Sequence, residues 1–200
     1  RASVGLEPLA PSFVSEPSGA GGSTRERTHA TVKRIVDETS LKPAAHLTCA
    51  GHARREIDEI VQGYWDADIR HIVALRGDMP DMSGPYRAHE RGYASTPELI
   101  EGLLKIAPFE VSVSCYPECH PDSPSLEHDV EFLKAKAGAG ASRALGQVGV
   151  DGDALAPLRA RGGAGRRCGV PCFPPATASP LPGSPGAKAS SLDSMWARAG

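Results

Sequence analysis

The chain has 200 residues, a formal net charge of −2 and 40% hydrophobic residues. That length suffices for one domain with a substantial core, and the balanced charge gives no reason to expect nucleic acid or an anionic membrane as partner. No apolar stretch reaches the ~18 residues of a membrane-spanning helix, and RASVGLEPLAPSF at the N-terminus lacks the continuous apolar run of a signal peptide. The chain opens on Arg1 rather than Met, which reads as a segment of a longer gene. Five cysteines, an odd number in a cytosolic-looking sequence, argue against a disulfide framework and for a cytoplasmic location.

From about residue 11 to residue 147, short β-type runs alternate with helical stretches. Phe13-Val14-Ser15 reads as a weak strand ending in the turn Gly19-Ala20-Gly21-Gly22. Ser23 or Thr24 is expected to cap the helix ERTHATVKRIVDETS, whose Val32, Ile35 and Val36 share one face. AAHLTCA (44–50) is the next strand. The helix REIDEIVQGYWDADI follows, with Ile57, Ile60, Val61 and Tyr64 at spacings of three and four. HIVALRG (71–77) is a continuous apolar run, as expected of a strand buried on both faces. After a long loop, Pro97 opens the helix PELIEGLLKIA. EVSVSCYP (110–117) is the fourth strand, SLEHDVEFLKAKAGAG the next helix, and SRALGQ opens a fifth strand.

Repeated strand–helix alternation predicts parallel βα units, in either a doubly wound sheet or a (β/α)8 barrel. No G-x-G-x-x-G follows the first strand, which weakens the doubly wound option. Polar residues gather just past the strands, Arg76 and Asp78 after one, Glu118 and His120 after another. Barrel enzymes place their active-site loops there. Past about residue 150 the texture changes: Gly, Ala, Pro and Ser supply 25 of the 40 residues from Arg161 to Gly200. Such a segment cannot bury enough apolar surface to offset its ordering entropy. The division expected is therefore a strand–helix domain over 1–150 and a Gly/Ala/Pro/Ser-rich tail over 151–200, disordered or non-native, its bias resembling a high-GC gene read in a shifted frame.

Three segments carry candidate chemistry. In HIVALRGDMP (71–80) a buried strand delivers an Arg-Gly-Asp turn. Gly77 lets the backbone approach a ligand closely, Arg76 offers a fork of donors for phosphate or carboxylate, and Asp78 supplies an acceptor or acid/base group; the plain alternative is a solvent-exposed turn. In SCYPECHP (114–121), Tyr116 brings a π-face and a hydroxyl, and His120 is either functional or an ordinary surface histidine. In HLTC (46–49), His46 falls within a strand, where a core histidine is the competing reading.

Taken in order, GAGGSTRERTH (19–29), HLTC (46–49), HIVALRGD (71–78), YAS (93–95) and YPECHPDSPSLEHDVEFLKAK (116–136) resemble the bacterial-type 5,10-methylenetetrahydrofolate reductases over residues 11–147. The resemblance implies a (β/α)8 TIM barrel, incomplete here and holding roughly strands 2 to 6, with FAD at the C-terminal strand ends. It also implies NAD(P)H as reductant and reduction of 5,10-methylenetetrahydrofolate to 5-methyltetrahydrofolate. Ala20, His46, Arg76, Gly77, Asp78, Tyr93, Ala94, Tyr116, His120, Asp129 and Lys136 fall on the family's flavin-contacting positions, Arg76 and Lys136 suiting the diphosphate. Asp78 also falls near the folate, tuning the flavin, and Gln147 on a folate-contacting glutamine. Full-length members are expected to be homo-oligomers.

Four departures accompany the likeness. The strand carrying the family's general-acid glutamate has no counterpart, and Glu7 lies too close to the next strand to replace it. SEPSG (15–19) stands where the family has S-V-T-Y-G, so Pro17 and Ser18 replace a Thr and a Tyr, and Glu16 and Pro17 suit a central strand poorly. ALGQVGVD (144–151) stands for A-I-T-Q-F-F-F-D, keeping Gln147 and Asp151 but putting Val148, Gly149 and Val150 in place of aromatics. The last strands are not recognisable. A barrel so interrupted exposes two edges and half a core, so little stable activity is expected, and an inactive fragment that at most binds flavin is the first alternative. The second is a zinc site built from Cys115-x3-Cys119-His120 and Cys168-x3-Cys172. Tyr64 and Trp65 read as packing residues.

Overall fold

The structure, a computed structural model, describes residues 3–16, 22–77, 88–116, 120, 123–146 and 167–169. Its elements in chain order are a short 3-10 helix Ser3–Leu9, β1 (Val14–Glu16), α1 (Gly22–Glu38), β2 (Pro43–Thr48), α2 (Arg54–Asp66), β3 (His71–Leu75), α3 (Thr96–Ile106), β4 (Glu110–Ser114), α4 (Leu126–Gly138), β5 (Arg143–Leu145) and β6 (Arg167–Gly169). All strand pairs are parallel and the spatial order is β1-β2-β3-β4-β5-β6. A doubly wound sheet reverses its strand order at a switch point; this one does not. Each βα unit advances in the same direction, and neighbouring helices pack on each other, α2 on α3 and α3 on α4. The result is the incomplete (β/α)8 barrel that the family resemblance implies, one of the two architectures the alternation left open.

Two details differ from the sequence reading. α1 begins at Gly22, so Ser23 and Thr24 lie inside its first turn and neither is the residue preceding it. Glu16, expected to disfavour a strand, ends β1 opposite Ala45. β1 is an outer strand of only three residues, where a polar side chain is tolerated, although burial raises the Glu16 carboxyl above its usual range. Residues 167–169 of the expected tail form β6 against β5. The remainder of the tail, with Pro17 and Ser18, lies outside the described residues.

The strands divide their faces by the two-residue period. Ala45 and Leu47 of β2, Ile72 and Ala74 of β3, and Val111 and Val113 of β4 form one core with Val32, Ile57, Val61, Tyr64, Leu99, Ile100 and Leu103 of the helices. Each such aliphatic side chain contributes roughly 1.5–3 kcal/mol on leaving water. Tyr64 stacks on His29 with ring centroids 5.6 Å apart, and Trp65 meets Phe109 edge-on at 5.1 Å, so both aromatics pack as expected. Ser95 and Ser125 cap α3 and α4, their hydroxyls accepting from the Glu98 and His128 N–H groups.

On the opposite, concave face, polar residues recur at alternate positions. At its floor, the N-terminal end of the strands, His71 Nε2 lies 2.7 Å from Ser112 Oγ and its ring 4.6 Å from that of Phe13. Arg143 pairs with Glu110 at 2.6 Å and stacks over Phe13 at 4.7 Å. Burial, the largest cause, pushes His71 down to about 4, so it is neutral near pH 7. Arg143 Nη1 is buried with no hydrogen-bond partner among the described residues. The Phe13 face compensates only in part. At this end of a barrel such packing serves stability. Also at this end, Glu7 accepts from the Ser40 N–H and hydroxyl at 2.8 and 3.0 Å. It is engaged at the N-terminal end of β2, away from the C-terminal strand ends.

Candidate functional site

The rim at the C-terminal ends of the strands is built from three neighbouring loops. After β3 the chain turns through Arg76 and Gly77. The Arg76 carbonyl accepts from the Ala50 N–H at 2.9 Å and from Cys49 Sγ at 3.6 Å, which fastens this turn to the loop after β2. Gly77 has φ +82°, and a Cβ there would lie 2.7 Å from Thr48 Cβ and 3.3 Å from Ala50 Cβ. The glycine therefore lets two loops of the protein itself come together, whereas the sequence reading had given it to ligand approach alone. His46 stands lower on the concave face, aligned with Val73, and burial lowers its pKa. It is a half-buried strand residue.

The cationic side of the site comes from α4. Lys136 is buried at 7% exposure, its Nζ donating to the Ser114 carbonyl at 2.9 Å and lying 4.8 Å from the Phe132 ring centroid. Burial drives its pKa down to about 8; Cys115 and Asp129 act in the opposite direction, and the Arg76 guanidinium adds to the fall. Arg76 and Lys136, sixty residues apart in sequence, thus share one electrostatic neighbourhood, with two positive groups and the Asp129 carboxylate between neighbouring loops. Asp129 Oδ2 accepts the His120 N–H at 2.6 Å. The His120 ring in turn meets Tyr116 edge-on with centroids 4.5 Å apart. Asp129 therefore holds the loop after β4 to the first turn of α4.

Tyr93 and Ala94 reach the site differently. The Tyr93 ring is 4% exposed, and its hydroxyl donates to Asp58 Oδ1 at 2.6 Å. A Cβ on Gly102 would lie 2.2 Å from that hydroxyl, so the phenol sits between α2 and α3. Burial first, then Asp58, raises its pKa. The side chain of Tyr93 is consequently spent inside the helix layer. The neighbouring Ala94 is exposed and donates its N–H to Glu98 Oε2 at 2.7 Å.

Of the residues marked in the sequence, His46, Arg76, Gly77, Tyr116, His120, Asp129 and Lys136 gather around the β2, β3 and β4 ends. Ala20, Asp78, Glu118 and Gln147 lie outside the described residues. Cys115 is buried against Val130 and Ala144, whereas Cys119, Cys172 and the Cys168 side chain lie outside the described residues, and no cluster of three metal-ligating groups occurs among those described. Arg54, Asp58 and Glu98, which converge on Tyr93–Ala94, were not singled out from sequence. Nothing in their spacing along the chain marks a shared target.

The matched families agree with this architecture. The family model described as methylenetetrahydrofolate reductase matches residues 4–174. The chain is 42% identical over 156 residues to the 5,10-methylenetetrahydrofolate reductase of Pectobacterium carotovorum, covering 78% of this chain and 50% of that protein. For the Escherichia coli K12 enzyme of the same name the identity is 43%, with 78% and 51% coverage. A maize protein named methylenetetrahydrofolate reductase (NADH) 1 is 30% identical over 154 residues. The chain spans about half the length of the curated bacterial relatives. Among solved structures, a putative phosphonomutase from Burkholderia cenocepacia superposes with TM-score 0.60 at 13% identity, covering 84% of this chain and 72% of that one. A 2,3-dimethylmalate lyase superposes with TM-score 0.61 at 12% identity, covering 84% and 62%. At such identities these two speak for the fold alone. The family model and the bacterial relatives carry more: this chain belongs to the methylenetetrahydrofolate reductase family.

Proposed function

We propose that the chain supplies the flavin-holding part of an FAD-dependent reductase that converts 5,10-methylenetetrahydrofolate to 5-methyltetrahydrofolate with NAD(P)H. The observation that carries this reading is the buried cation at the end of β4: Lys136, 7% exposed, holds its Nζ 2.9 Å from the Ser114 carbonyl. Arg76, on the loop after β3, adds a second positive charge whose field reaches Lys136. A diphosphate would neutralise both charges and replace the water that buried Lys136 has lost. The residues present therefore fit the diphosphate of FAD. Bound there, FAD supplies hydride-transfer chemistry that no side chain provides.

The protein's own part is to bind and orient. Arg76 is aimed by the bonds from Ala50 and Cys49 to its carbonyl. Lys136 is steadied by the Ser114 carbonyl. Asp129 sets the loop that presents Tyr116 and His120, and a neutral His46 borders the concave face. In this reading Asp78 tunes the flavin and contacts the folate, Gln147 contacts the folate, and Ala20 contacts the flavin. Assembly as a homo-oligomer in the cytoplasm belongs to the same reading. No helix among the described residues is long and apolar enough to cross a membrane.

A second reading, flavin binding without turnover, is favoured by the sheet itself: among the described residues its outer strands β1 and β6 each have one strand neighbour. Titrating the purified chain with FAD and following flavin fluorescence, then adding NADH and the folate, separates the two. Saturable quenching followed by NADH oxidation supports the reductase. Quenching alone supports the second reading, and the absence of quenching refutes both.

A further inference from the structure

We propose that Arg54, Asp58 and Glu98 are positioning residues that set the backbone of Tyr93–Ala94 for the flavin; the inference rests on the flavin reading above. Nothing in the family likeness singles them out, and all three lie on helices behind the rim. Their side chains nevertheless converge on one short segment from two directions.

From α2, Asp58 Oδ1 accepts the Tyr93 hydroxyl at 2.6 Å. Arg54 donates from Nε to the Gly92 carbonyl at 3.2 Å and holds its guanidinium 4.8 Å from the Tyr93 ring centroid. From α3, Glu98 uses both oxygens: Oε1 pairs with Arg54, and Oε2 accepts the Ala94 N–H at 2.7 Å. The loop has no slack here. A Cβ on Gly92 would fall 2.6 Å from the His52 carbonyl, and one on Gly102 would strike the Tyr93 hydroxyl. The Gly92 carbonyl, the Tyr93 side chain and the Ala94 N–H are thus held by α2 and α3 before any ligand arrives. Pre-fixing a contact segment cuts the ordering cost that binding would otherwise bear. Because Tyr93 is buried in the helix layer and Ala94 is exposed, the ligand contact made here falls to Ala94, whose backbone is set by the Glu98 carboxylate behind it.

The test uses the full chain. Glu98→Ala removes the acceptor for the Ala94 N–H and releases Arg54. Glu98→Gln keeps one oxygen to accept that N–H. FAD affinity is read by fluorescence quenching and exchange of the Ala94 amide by mass spectrometry or NMR, with Glu101→Ala on the same helix as control. We expect Glu98→Ala to weaken FAD about five-fold and speed exchange at Ala94, with Glu98→Gln recovering most of the affinity. Should Glu98→Ala fail to fold, Tyr93→Phe, which keeps the ring and loses only the bond to Asp58, is expected to weaken FAD about two-fold. The inference is overturned if Glu98→Ala, or Tyr93→Phe in its place, binds FAD like the parent. It is equally overturned if Glu98→Gln is as weak as Glu98→Ala with all α3 amides exchanging faster. A parent chain that does not bind FAD sinks the flavin reading itself, and this inference with it.

Discussion

Replacing Gly77 by alanine tests the central geometric claim, that the Arg76–Gly77 turn is pressed against the loop after β2. The residue has φ +82°, a conformation that costs an L-residue about 1–2 kcal/mol. The added methyl would lie 2.7 Å from Thr48 Cβ, a strand atom that cannot swing aside, and 3.3 Å from Ala50 Cβ. Relief requires the turn to lift away from residues 48–50, stretching the 2.9 Å bond from the Ala50 N–H to the Arg76 carbonyl. Overpacking of this kind costs about 1–3 kcal/mol. Since strain and overlap relax together rather than adding, Gly77→Ala is expected to cost about 3 kcal/mol. Urea denaturation followed by circular dichroism reads this directly. Thr48→Gly alone should cost about 1 kcal/mol for a glycine in a strand. In the double variant it removes the struck atom, so the pair should cost at least ~1 kcal/mol less than the sum of the singles. A Gly77→Ala chain within ~0.5 kcal/mol of the parent, or strict additivity in the double variant, would refute the proposed contact.

Three further outcomes are expected. His71 is held at about 4 in the fold against an ordinary 6.5. The unfolded chain therefore takes up the proton first, and stability should fall as pH drops from about 6.5 toward 4, by as much as ~3 kcal/mol; urea midpoints across that window should flatten in His71→Phe, and an unchanged slope would dismiss the floor histidine as the cause. Lys136 sits at about 8, so a diphosphate bound to its charged form should be held more weakly as pH rises through and above that value. Lys136→Met should lower FAD affinity at least ten-fold at pH 7 and abolish that decline, both read by fluorescence titration. Ser125→Ala removes the hydroxyl that accepts the His128 N–H; a loss of about 1 kcal/mol in thermal or urea unfolding is expected.

The strand–helix alternation and the core faces were legible in the sequence because they follow from local periodicity. Ile57, Val61 and Tyr64 recur at helical spacing, and Ile72–Leu75 is an unbroken apolar run because a parallel strand is covered on both sides. The start of α3 was legible from Pro97 in its first turn, but that of α1 was not, since the helix begins at Gly22, ahead of the expected caps. The candidate site was legible as five ordered motifs, although not as a mechanism. Spacing along a chain says nothing about Arg76 and Lys136 sharing a field, nor about the Tyr93 ring turning into the helix layer. Nor could it reveal that Gly77 yields to Thr48, or that Arg54, Asp58 and Glu98 meet at one loop. Those relations join residues tens of positions apart, and only the parallel winding of the sheet, which stacks successive loops side by side at one end, brings them within reach of each other.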